Sequence, residues 1–130
     1  MDEQDFADRF EFHDDMDILE IDLSGLTFTN SNEADMFHDL LDRRVLETGR
    51  TWYFLSCFER CAISPGAALQ FSIRRDHAHD GSSRGAVRYG TSEEANSAML
   101  SVKSDPKTVD NSFDSREEAI ARINEMKATS

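Results

Sequence analysis

Thr51, Trp52, Tyr53, Phe54, Leu55, Ser56, Cys57 and Phe58 form an aromatic, almost unbroken apolar run. A strand with one wet face alternates apolar and polar side chains, and this segment does not. It reads as a strand buried on both faces of a sheet, which requires a covering layer on each side. Such a strand belongs in an α/β fold, and its neighbours in sequence carry the same message.

Upstream, residues 17–23 alternate cleanly. Leu19, Ile21 and Leu23 point one way, Glu20 and Asp22 the other, as in a strand. Ser24 and Gly25 allow a bend, and residues 26–29 give a brief extended piece. Asn30, Ser31 and Asn32 are a cluster of helix-capping residues, and Asn30 with Glu33 has the spacing of a cap and its acidic reach-back. The following helix places Phe37, Leu40, Leu41 and Val45 on one face, leaves Asp35, Asp39, Asp42 and Arg43 for solvent, and ends at Gly49. Phe10 and Phe12 alternate with polar neighbours and predict a first short strand, joined to the second as an antiparallel hairpin through a turn at residues 13–15.

Downstream, Ser64 and Pro65 are an N-cap and a first-turn proline. The helix they open draws its buried side from Ala68, Leu69, Phe71 and Ile73. The polar stretch 74–84 reads as a loop and residues 86–89 as a strand. Thr91 or Ser92 caps a short helix holding Ala95, Ala98, Met99 and Leu100, and residues 103–111 read as a loop. Ser115 and Glu118 form a capping box for a last helix with Ala119, Ile120, Ile123 and Met126 on its apolar side. This alternation of strands and helices predicts an α/β sheet with partly parallel strands. Residues 1–9 are expected to be a flexible acidic lead-in, and residues 10–128 a single domain, as suits a chain of 130 residues.

The formal net charge is -12. That charge opposes nucleic acid and anionic membrane surfaces, and favours basic protein surfaces or cations as partners. No apolar run approaches the roughly 20 residues of a bilayer-spanning helix. The acidic start Met1, Asp2, Glu3 lacks the basic and apolar regions of a signal peptide, so a cytoplasmic protein is expected. Two cysteines, Cys57 and Cys61, do not make a disulfide framework.

Two stretches resemble the STAS family of anti-sigma-factor antagonists. Residues 19–32 are similar to the family's strand, Asp-Leu-Ser-Gly-Leu segment and capped helix start, and residues 113–120 to its entry into the final helix. The helix between them, Gly49 before Arg50, and the apolar strand fall in the family's order, while residues 62–109 are longer and less typical. The resemblance implies a mixed four- to five-stranded sheet flanked by helices and a non-enzymatic role in protein–protein contact. Its partner would be an anti-sigma factor with serine-kinase activity or another signalling protein. It also implies a phosphorylatable serine at the helix start, which here is Ser31. The partner-binding surface carried over is Thr29, Asn30, Ser31, Asn32, Glu33 and Met36. The chain departs from the family where Asn30 replaces an aspartate, Asn32 a serine or threonine, and Glu33 a glycine. Glu33 adds negative charge where a phosphate would sit.

Other groupings carry less. Cys57, Cys61, His77 and His79 have permissive metal spacings, but a cysteine in an apolar strand is ordinary core, and no metal or other cofactor is expected. Arg43, Arg44, Arg60, Arg74, Arg75, Arg84 and Arg88 concentrate positive charge in mid-chain, either as solvated ion-pair partners or as an anion-binding patch. With residues 62–109 they motivate an alternative, a small-ligand or nucleotide-sensing domain without a phosphoswitch. No phosphate loop, nucleophile elbow or supported carboxylate pair is present, so no catalytic residue is assigned.

Overall fold

A computed structural model describes residues 4–81, 83–90 and 112–129, the side chains of 76–81 excepted. The helix and loop expected across residues 91–111 lie outside the described residues. The fold is α/β, with a mixed five-stranded sheet flanked by helices. In chain order the elements are α1 (Gln4–Ala7), β1 (Phe10–His13), β2 (Ile18–Asp22), β3 (Thr27–Phe28), α2 (Ser31–Thr48), β4 (Trp52–Cys57), β5 (Ala62–Ile63), α3 (Pro65–Gly81), β6 (Ser83–Tyr89), β7 (Ser112–Phe113) and α4 (Arg116–Thr129). The main sheet runs β1-β2-β4-β6-β7; β1 is antiparallel to β2 and the other neighbours are parallel.

β4 occupies the centre, as its composition requires. Trp52 and Phe54 enter the core on one face, while Tyr53 and Leu55 enter a second core on the other. The first core is closed by α2 and α3 through Phe37, Leu41, Val45, Ala68 and Phe71. The second is closed by α4 through Ala119 and Ile123, with Ile120 and Met126 packed against it. Removing a side chain such as Trp52 from this setting costs about 3–5 kcal/mol. Aromatic rings tie the first core together: Phe28 meets Phe71 edge-on at 5.1 Å, and Phe37 meets Phe6 at 5.5 Å.

Phe6 corrects the expectation of a flexible lead-in. Gln4–Ala7 is a helical turn, and Phe6 is buried against Phe28 and Phe37. One aromatic side chain outweighs the acidity of its neighbours, because burying it removes far more apolar area than any other residue there can offer.

The segment read as a loop from residue 74 is instead helical to Gly81. Arg74 pairs with carboxylates of α2 and Arg75 is buried, and no glycine or proline interrupts the segment before Gly81. The buried side of α3 is also rotated from expectation. Ala67, Phe71 and Arg75, at four-residue spacing, face inward, whereas Leu69 and Ile73 are 59% and 49% exposed. The two-residue strands β5 and β7 were not expected either. β5 pairs in parallel with β3 to make a small second sheet, and β7 extends the edge of the main one. No helix among the described residues is long and apolar enough to cross a membrane.

Candidate functional site

The small β3–β5 sheet sets the geometry at the start of α2. Thr27 pairs with Ala62 and Phe28 with Ile63, so the two parallel strands deliver the first turns of α2 and α3 side by side. The Thr29 carbonyl accepts a hydrogen bond from Ser64 Oγ at 2.9 Å, and the Phe28 carbonyl accepts the Ser64 amide at the same distance. Gly66 belongs to this junction. A Cβ there would come within 2.9 Å of the Thr29 carbonyl oxygen, so only glycine lets the two helix starts approach this closely.

Asn30 is the N-cap of α2. Its backbone is extended (φ −149°, ψ 170°), and its side-chain oxygen accepts the Glu33 amide at 3.0 Å. Glu33 reaches back, but to Thr29 rather than to the cap residue. Its Oε1 accepts the Thr29 amide at 2.7 Å and the Thr29 hydroxyl at 2.5 Å. These two bonds, the hydroxyl first, hold the Glu33 carboxyl below its usual range. The far end closes on Gly49, whose φ of 70° is the left-handed cap conformation and whose amide donates to the Leu46 carbonyl.

Thr29, Asn30, Ser31 and Asn32 are exposed, and Glu33 is half-buried. Ser31 is the first residue of α2. A phosphate on it would lie beside the N–H groups of the first turn and the positive end of the helix dipole, and would share that field with the ionised Glu33. Met36 is less available, because it packs partly against the first core. With Asn32, Asp35, Asp39, Leu40 and Arg43 it lines a surface hollow of about 410 Å³ along α2.

The mid-chain arginines do not form one patch. Arg74 bridges α3 to α2 by bonding Asp35 at 3.0 Å, Asp39 at 2.7 Å and Asp42 at 3.2 Å. Arg44 lies over Phe10 and Phe12, and Arg84 over Tyr53. Arg75 and Arg88 turn inward and line a cavity on the α2/α3 side of the sheet. Cys57 and Cys61 are buried free thiols, and burial pushes Cys61 up to about 12. His77 and His79 fall among the side chains outside the described residues.

Two groupings were not anticipated. Glu11, His13 and Glu20 present ligand atoms within 4.8 Å of one another. Glu20, however, is held by Arg116 through two 2.9 Å bonds and by His13 at 2.9 Å, which makes the trio an ion-pair network rather than an open cation site. A polar hollow of about 350 Å³ lies at the carboxyl ends of β2, β4 and β6, lined by residues that include Arg9, Asp22, Ser24, Glu59 and Tyr89. Arg9 donates there to the backbone carbonyls of Asp22 and Ser24. The pairing of Glu11 with Glu20 follows from the hairpin register; nothing local in the sequence announces Arg116 as their neighbour.

Comparisons with protein-family models, with curated proteins and with solved structures give no match for this chain.

Proposed function

We propose that the protein is a regulatory protein–protein interaction domain of the kind its resemblance to the STAS family implies, and that it is not an enzyme. Its partner is a basic protein surface, in the first instance an anti-sigma factor with serine-kinase activity or another cytoplasmic signalling protein. The surface engaged is the start of α2, from Thr29 to Glu33, with the adjoining hollow beside Met36. Phosphorylation of Ser31 switches the contact by adding charge at the helix tip.

One observation carries this reading: an exposed serine opens an amphipathic helix whose start is held rigidly by Asn30, Glu33 and Ser64. Rigid placement lowers the ordering cost of binding there. The overall charge of -12 turns away nucleic acid and selects a basic protein surface.

The test places a photo-crosslinking residue at Asn32 and, as a control, at Arg122 on α4. The expected result is one reproducible protein captured from Asn32 and not from Arg122. Its binding should be lost when Ser31 is phosphorylated and kept, but no longer regulated, in Ser31→Ala. Equal capture at both positions, or a Ser31→Ala protein that is regulated normally, would overturn the proposal.

A further inference from the structure

β1 is one edge of the main sheet, and among the described residues it pairs with β2 alone. The Asp22 amide donates to the Arg9 carbonyl at 2.9 Å, which makes Arg9 and Asp22 a hydrogen-bonded pair of the antiparallel ladder. Such pairs recur at every second position, so Glu11 with Glu20 and His13 with Ile18 are of the same kind. Phe10 and Phe12 fall between them. Their backbone N–H and C=O groups therefore point away from β2, toward the open side, and have no hydrogen-bond partner among the described residues.

An open edge is a template for another strand. Edges are commonly blunted by proline, lysine or a bulge; β1 contains neither residue, and its register with β2 runs without a shift. The order Phe10, Glu11, Phe12, His13 selects the occupant. A second copy of β1 laid antiparallel along this edge, about a two-fold axis, has to centre on one residue. Centred on Phe12, the two Phe12 residues exchange hydrogen bonds, and Glu11 of each copy stands directly opposite His13 of the other. These flanking pairs are of the non-hydrogen-bonded kind, in which side chains come closest. Centred on Glu11 or His13, identical side chains face each other instead, two carboxylates in the first case. Centred on Phe10, the pairing needs Arg9, which lies in a turn and donates to carbonyls of its own chain. Only the Phe12 register is both extended and complementary in charge. The Glu11 side chain is 72% exposed, so little packing holds it back from a second copy. Phe12 is half-buried, edge-on to Trp52 at 5.0 Å, and a second Phe12 beside it would cover more of its ring.

We infer that β1 is a docking edge for a second copy of this chain, joined antiparallel about Phe12 into one continuous sheet. The contact uses no residue of the tip assigned to partner binding, and it stands independently of that assignment. With four residues a side at its centre, it belongs to the weak class of interfaces.

The full chain is studied from ~10 μM to ~1 mM by sedimentation equilibrium, the range in which a weak pair of this kind forms. Salt is held at ~0.15 M, where the Debye length is about 8 Å and repulsion between two acidic copies is screened. Amide exchange is followed by NMR at both ends of the range. The expected result is a mass that rises toward two chains, with the Phe12 amide exchanging about twofold more slowly at the high concentration. The Glu11 and His13 amides, already directed at β2, should keep their rates. Glu11→Lys sets a lysine opposite His13 of the other copy and should weaken association about fivefold or more. Phe12→Pro removes the outward donor at a position where an edge strand tolerates proline, and should abolish association. A monomer mass at every concentration, association that leaves Phe12 exchange unchanged, or native association in both variants would overturn the proposal. Should Phe12→Pro not fold, the Phe12 amide of the unaltered protein decides.

Discussion

Arg116, at the start of α4, grips the Glu20 carboxylate on β2 with two parallel bonds, Nε to Oε2 and Nη2 to Oε1, each 2.9 Å. Ninety-six residues of sequence separate the pair, so this bidentate contact docks the last helix onto the second strand. The Arg116 bond is the largest influence holding the Glu20 carboxyl below its usual range; His13 adds to it and burial opposes it.

That direction has a pH consequence. A carboxyl whose pKa is depressed by folding contributes stability above its unfolded value, near 4.5, and loses it as pH falls through the lower folded value. Glu20→Gln should therefore destabilise the protein by about 1 kcal/mol at pH 7, a figure kept small because Arg116 is partly solvated. The gap between variant and native protein should narrow below about pH 4.5. Urea unfolding at pH 7 and pH 3.5 checks this; a gap that stays constant would show that the ion pair is not its source.

Arg74 offers a second electrostatic test. Its guanidinium faces Asp35, Asp39 and Asp42, three carboxylates on one stripe of α2, and Gln70 adds a 2.7 Å bond to Asp35. Replacing Arg74 with Met keeps the aliphatic stem but leaves like charges at helical spacing. The expected loss is about 1 kcal/mol at low salt, since the carboxylates are well exposed. It should shrink markedly near 1 M salt, where the Debye length is about 3 Å. Denaturation at two ionic strengths measures it, and a salt-independent loss would point to packing instead.

How far the residues themselves announced this architecture depends on the range over which each signal acts. β2, β4 and the caps of α2 and α4 are written in alternation, continuous burial and side-chain spacing over a few residues, and they stand where those patterns place them. β5 and β7 have two residues each, too short for any period to show. The polarity of residues 74–84 and their Gly-Ser-Ser end read as a loop, whereas Arg74 bridges two helices and Arg75 turns into a cavity. The exposed tip from Thr29 to Asn32 was legible as a capping cluster. The convergence of Arg75, Arg88 and His38 on one cavity was not, because it depends on how α3, β6 and α2 pack against one another.

Cys61 supplies a chemical probe of the core. Burial, with a smaller push from Cys57, raises its thiol to about 12, so almost none is thiolate at neutral pH. Native protein at pH 8 should react with a thiol-specific reagent at Cys61 at least a hundredfold more slowly than unfolded protein. The labelling rate should rise with denaturant in parallel with unfolding. Rapid labelling of native Cys61 would mean that the first core around it opens far more easily than its packing implies.

The cap of α2 separates stability from regulation at one helix end. Asn30→Ala removes the acceptor for the Glu33 amide and should cost about 1 kcal/mol, with amide exchange accelerated through the first turn. Asn30→Asp keeps the acceptor and adds a negative charge at the positive end of the dipole, so it should be neutral or slightly stabilising at pH 7. Ser31→Ala, one residue on, sits in the exposed first turn and should change stability by no more than about 0.5 kcal/mol. If the tip is the switch, Ser31→Ala should abolish phosphate-dependent release of the partner while leaving the fold intact, and Asn30→Ala should weaken partner binding by loosening the helix start. Thermal unfolding, hydrogen exchange and partner affinity measured on the three variants distinguish these effects. A Ser31→Ala protein as unstable as Asn30→Ala would show that the serine is part of the cap and not a free handle on its surface.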